Sequence, residues 1–133
     1  MPDYVTDTHS LIWYLEDSPR LGPAARECFE ACDLGESTIH IPTICLVEII
    51  YLQEKGRIPA EMKRLLDEEL RGGSAGISLA DLSAEVVEML SRVPGSVVPD
   101  MPDRIIAATA LHLGLPLISR DRKIRVSDVH TVW

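Results

Sequence analysis

Four carboxylates in this 133-residue chain stand where a side chain could do chemistry: Asp7, Glu48, Asp103 and Asp121. With 21 acidic residues present, number alone selects none of them, and placement has to. Glu48 is the only charged residue of TICLVEIIYLQ, where Ile44, Cys45, Leu46, Val47, Ile49, Ile50 and Leu52 surround it. An ionised carboxylate withdrawn from water costs several kcal/mol unless it is paired, protonated or bound to a cation. Glu48 therefore needs a partner, which an arginine could supply as well as a metal. Asp7 follows the apolar run Tyr4-Val5-Thr6, at the carboxyl end of a predicted strand, where open parallel sheets gather their ligands. The same position suits a cap for the helix starting near Thr8. Asp103 follows Pro102 in the first turn of a predicted helix, where negative charge complements the helix dipole. Asp121 ends another strand, although an exposed loop aspartate would look the same.

Brought into one cleft, four carboxylates repel one another, and a hard divalent cation, Mg²⁺ or Mn²⁺, is the usual resolution. The segment SRDRKIR places Arg120, Arg122, Lys123 and Arg125 around Asp121, and Arg104 adjoins Asp103. These are candidate phosphate contacts, with solvated surface charge as the plain alternative. A carboxylate-held metal beside basic side chains is the equipment of phosphodiester hydrolysis. Of the neighbours, His9 could shuttle a proton or contact phosphate but is expected on a helix surface, and Asp100 is a close alternative to Asp103 that is expected instead to cap the helix carrying it. Trp13, Tyr14 and Tyr51 are expected to pack a core or a dimer face rather than stack on bases.

The elements that must position these residues alternate along the chain. Strands are predicted at 4–6, 39–41, 77–79, 115–119 and 129–133, and helices at 8–15, 24–34, 44–55, 60–71, 84–90 and 105–113. Thr43 and Ser83 are placed as helix caps, Gly56, Gly72-Gly73 and Gly114 as stops, and Val97-Val98 as a short edge or connecting segment. Strands alternating with helices imply a three-layer α/β/α fold around a central, mostly parallel sheet of four to five strands. With no repeat or linker in view, residues 1–133 are expected to form one domain.

Composition narrows the classes further. Hydrophobic residues make up 46% and charged residues 26%, which suits a globular chain. The net charge of −8 argues against indiscriminate binding to nucleic acid. The charge is uneven, however. Residues 1–100 hold 8 basic and 18 acidic side chains, whereas residues 101–133 hold 5 basic and 3 acidic, so nucleic acid is expected to approach the last third. Cys28, Cys32 and Cys45 are odd in number and lack a second Cys/His pair for zinc, which points to a reducing interior. Neither a membrane span nor a signal peptide is legible, and a cytoplasmic location is expected.

The pattern VTDTHSLIW, then LVEIIYLQEKGRI, then PDRIIAATALHLGLPLISRD resembles the PIN-domain ribonucleases, in particular the toxins of VapBC-type toxin–antitoxin pairs. The resemblance spans nearly the whole chain. Its most specific piece is Asp103 three residues before Ile106-Ala107-Ala108, followed by a glycine, an apolar strand and Ser119-x-Asp121. It implies that Asp7, Glu48, Asp103 and Asp121 hold Mg²⁺ or Mn²⁺, with Ser119 as a supporting hydroxyl. It also implies an endoribonuclease acting on RNA, a homodimer, and an antitoxin protein lying beside the site. Two other classes compete. An aspartyl-phosphate phosphotransfer protein shares the aspartate after the first strand, but His9 stands where its phosphatases carry a second acid. A non-catalytic interaction module would keep the fold without the chemistry.

Overall fold

The computed structural model describes residues 2–72, 76–125 and 128–133, and the side chain of Arg125 lies outside the described residues, as does Gly73. The elements in chain order are β1 (Tyr4–Thr6), α1 (Thr8–Leu15), α2 (Pro23–Asp33), β2 (Ile39–Pro42), α3 (Thr43–Glu54) and α4 (Met62–Arg71). They continue with β3 (Ile77–Ala80), α5 (Ala84–Met89), a 3-10 turn (Leu90–Arg92), α6 (Met101–Leu113), β4 (Leu117–Ile118), α7 (Arg122–Arg125) and β5 (Thr131–Val132).

The five strands form one sheet in the order β3-β2-β1-β4-β5, and every pairing is parallel. Their sequences are short and apolar because both faces are covered, and Val5, Ile39, Ile41, Leu117 and Ile118 are wholly buried. From β1 the chain winds outward through β2 to β3, then returns to lay β4 against the other side of β1. Right-handed crossovers that reverse direction in this way send helices to opposite faces, and they open a crevice at the carboxyl ends of β1 and β4. Asp7 closes β1 there, its N–H donating to Ile118 O at 3.1 Å.

Local signals explain most boundaries. Ser83 accepts from Val86 N and starts α5, and Gly114, at φ +67°, ends α6 in the left-handed conformation that glycine tolerates. Other expectations need correction. Thr43 is the first residue of α3 rather than its cap, and its hydroxyl accepts from Leu82 N instead. Helix α6 begins at Met101, beside the Pro102 that marks a helix start in the sequence and with Asp100 as its cap, so it runs one turn ahead of the apolar stretch 105–113. Val97 and Val98 fall in a connecting turn rather than at a sheet edge, with their N–H groups donating to Pro94 O. The short α7 between β4 and β5 has no apolar period to announce it.

Helix α3 departs from expectation in burial. Cys45 and Ile49 are fully buried, but Val47, Ile50 and Tyr51 are 47%, 41% and 60% exposed. An all-apolar helix thus keeps one side on the core and presents a second apolar stripe outward. The aromatic residues divide as well: Tyr14 stacks on Phe29 at 4.3 Å within the core region, while Trp13 is buried beside the crevice. All three cysteines are free and buried.

Close packing of α2 against the entry to β3 yields a test of the architecture. A methyl group on Gly76 would sit 2.4 Å from Cys32 O and 2.3 Å from Cys32 Sγ, and the carbonyl cannot step aside. Gly76→Ala is expected to lower the unfolding free energy in urea by about 1–3 kcal/mol, the usual range for overpacking. An unchanged midpoint would show that this contact is looser than described.

Candidate active site

Asp7 leaves β1 in an extended conformation, and its side chain accepts from Ser10 N at 2.9 Å, capping α1. Capping and site membership, alternatives in sequence, coexist in one residue. The carboxylate is buried, and burial raises its proton affinity against the opposing pull of hydrogen bonds from Ser10 and Ser119. Ser119 at the end of β4 is fully buried, and its Oγ also accepts from Asp121 N at 3.0 Å. One hydroxyl therefore links the acid after β1 to the acid after β4. Asp121 is steadied further, its Oδ1 accepting from Lys123 N at 2.8 Å.

Glu48, in the second turn of α3, is half-buried and has found a neutral partner: the Thr8 hydroxyl donates to its Oε1. Burial raises its proton affinity, and the negative charges of Asp100 and Asp7 add to the effect. Asp103 lies in the first turn of α6, its N–H donating to the cap Asp100 at 3.1 Å. Burial first, then the charges of Asp100, Asp121 and Glu48, push the Asp103 carboxyl up to about 8. All four predicted acids line one cleft of about 400 Å³, together with His9, Trp13, Asp100 and Arg120. Among the described residues, no three of these groups are drawn together as a ready-made metal cage. They meet as facing walls, coupled through charge.

Of the basic candidates among the described residues, only Arg120 lines the cleft. Its guanidinium lies 4.7 Å from the Trp13 ring centroid. Arg104 turns away and donates to Val93 O and, at 2.8 Å, to Leu90 O, so it clamps the end of the 3-10 turn. Arg122 and Lys123 are exposed on α7, outside the cleft lining. Sequence reasoning missed Thr8 and Trp13 as parts of this site and ranked Asp100 below Asp103, as a close alternative better used as a cap. Asp100 does cap α6, and it also brings a fifth carboxylate to the cleft. His9, expected on a helix surface, is exposed on the cleft wall.

A raised carboxyl has a definite sign for stability. The folded chain retains a proton on Asp103 that the unfolded chain has already released. This contribution is therefore fully present below the ordinary value of 3.8 and is lost as pH rises toward about 8. A cation bound by the ionised cluster competes with that proton. The rise in melting temperature produced by saturating Mn²⁺ is thus expected to be larger at pH 8 than at pH 5.5, and Asp103→Asn should flatten the dependence. A shift independent of pH would contradict this picture.

Comparison with known proteins agrees with the geometry. The PIN domain family model matches residues 4–129. Ribonuclease VapC22 of Mycobacterium tuberculosis is 31% identical over 142 aligned positions, covering 100% of both chains. Among solved structures, VapBC2 from Rickettsia felis bound to a DNA fragment from its promoter superposes with a TM-score of 0.72 at 17% identity, covering 98% of this chain and 97% of that one. DNA-bound VapBC from Salmonella typhimurium gives 0.72 at 19% identity, covering 99% and 98%. Those two likenesses establish the fold, and the family match with the full-length relative establishes descent: the chain belongs to the PIN domain family, among the VapC-type proteins.

Proposed function

We propose that this chain is a Mg²⁺- or Mn²⁺-dependent endoribonuclease, the toxin of a toxin–antitoxin pair, working as one nuclease domain in the cytoplasm. The observation that carries the reading is the convergence of Asp7, Glu48, Asp103 and Asp121 on one cleft with an arginine at its edge. The donor set fits the metal, since carboxylate oxygens are the hard ligands such ions take and these four share one cleft. The four acids would hold the cation, with Ser119 fixing Asp7 and Asp121, and Thr8 fixing Glu48. A divalent cation held there supplies Lewis acidity toward a phosphodiester and the attacking water. Arg120 meets the strand's phosphate at the cleft, and Arg122 and Lys123 extend a basic path along α7.

RNA as substrate is supported by the name of the full-length relative, a ribonuclease. An antitoxin partner is supported by the toxin–antitoxin complexes among the fold neighbours and by the outward stripe of Val47, Ile50 and Tyr51 on α3, which calls for a protein surface. A homodimer would use the same kind of surface. No helix of the described residues is long and apolar enough to cross a membrane.

Purified, antitoxin-free protein is expected to cleave RNA with Mg²⁺ and to stop when EDTA is added. Asparagine still caps a helix, so Asp7→Asn should keep the fold while activity falls by about 100-fold or more. Thr8→Val, which strips Glu48 of its donor, should lower activity by about 10–100-fold. Absence of cleavage on every RNA tried, or full activity in Asp7→Asn, overturns the nuclease reading. A folded protein that takes up no metal in calorimetry would instead be a non-catalytic module.

A further inference from the structure

Arg120 is the one arginine or lysine on the cleft wall among the described residues, and two indoles lie beside its guanidinium. Its guanidinium carbon lies 4.7 Å from the centroid of Trp13 and 5.9 Å from that of Trp133. The two indoles meet edge to face at 5.8 Å. No ion pair joins Arg120 to a carboxylate among the described residues, although five acids share its cleft.

The sheet builds this stack. Ser119 N donates to Val132 O at 3.1 Å, so the pairing of β4 with β5 carries the next residues, Arg120 and Trp133, out at the same edge. Trp133 then seats on bare backbone. A methyl group on Gly22 would lie 2.7 Å from Trp133 Cδ1 and 2.7 Å from its Nε1, so only glycine leaves room for the indole. Trp13 reaches the stack from α1, the helix that Asp7 caps. A guanidinium held against aromatic rings rather than in an ion pair keeps N–H groups for two oxygens of a phosphate. It is also kept from swinging into the carboxylates, where it would displace a cation.

We propose that Trp133, together with Trp13, is a positioning residue that holds the Arg120 guanidinium at the cleft rim to grip a phosphate of the bound RNA strand. The inference rests on the nuclease reading and adds to it the residue that sets substrate affinity. Trp133 acts through Arg120 and touches no reacting atom.

The test pairs cleavage kinetics on a short RNA in Mg²⁺ with fluorescence anisotropy of the same labelled RNA in EDTA, using wild type, Trp133→Ala, Trp133→Phe, Arg120→Ala and the Trp133→Ala/Arg120→Ala double variant. Trp133→Ala is expected to weaken RNA binding and raise KM by about tenfold with little change in kcat. Phenylalanine should restore most of that loss, and the double variant should be no worse than Arg120→Ala alone, because both changes remove one interaction. Gly22→Ala, which unseats the indole from the other side, should copy Trp133→Ala. Multiplying losses in the double variant, an effect confined to kcat, or unchanged binding in Trp133→Ala would each overturn the inference while an active wild type leaves the nuclease reading standing. A wild type that neither binds nor cleaves RNA overturns both.

Discussion

The structure is organised around a repulsion: carboxylates drawn together and partly out of water at the crevice where the sheet reverses its winding. Burial raises the proton affinity of Asp7, Glu48 and Asp103, and mutual charge adds to it at Glu48 and Asp103. The answer the fold provides is neutral hydrogen-bond donors. Ser10 N, the Ser119 hydroxyl and the Thr8 hydroxyl stabilise individual oxygens without cancelling the charge of the cluster. A salt bridge at any of these places would have removed the demand for a cation; a hydroxyl preserves it.

The topology contributes to the same end. Strands β1 and β4 end side by side, and two helices begin at the crevice, α1 at the cap Asp7 and α6 at the cap Asp100. Helix N-termini carry partial positive charge, so the acids sit where the backbone itself tempers their repulsion. Helix α3 contributes differently, since Glu48 lies in its second turn on a side adjacent to Cys45 and Ile49, which anchor the helix in the core.

Basic residues are kept out of the acid cluster by other commitments. Arg104, next in sequence to Asp103, donates to backbone carbonyls of the preceding turn. Arg120 is stacked on indoles, while Arg122 and Lys123 face solvent on α7. Elsewhere, basic side chains pair locally, as Lys63 does with Asp67 and Arg64 with Glu68 along α4. A chain of net charge −8 thus keeps Arg120 on the cleft wall, where a polyanion would have to enter, free of the ion pairs that arginines and lysines form along α2 and α4.

By itself the sequence determined the order and type of nearly every element, and its resemblance to PIN-domain chains singled out four of the five acids that line the cleft. Those features are written in local terms: apolar period, caps such as Ser83, the left-handed Gly114, and aspartates placed just after strands. It also established that Glu48 needs a partner, because its helix offers little polar surface. Only the tertiary structure decided who that partner is, since Thr8 lies 40 residues away in the chain and meets Glu48 through the packing of α1 against α3. The same holds for Arg104, for the exposed stripe of α3, and for Trp133 seated on Gly22 beside Arg120. Spacing along a chain encodes which face a side chain occupies. Which distant group meets that face follows from how the elements pack, and in this chain the sheet's reversal at β1 governs that packing.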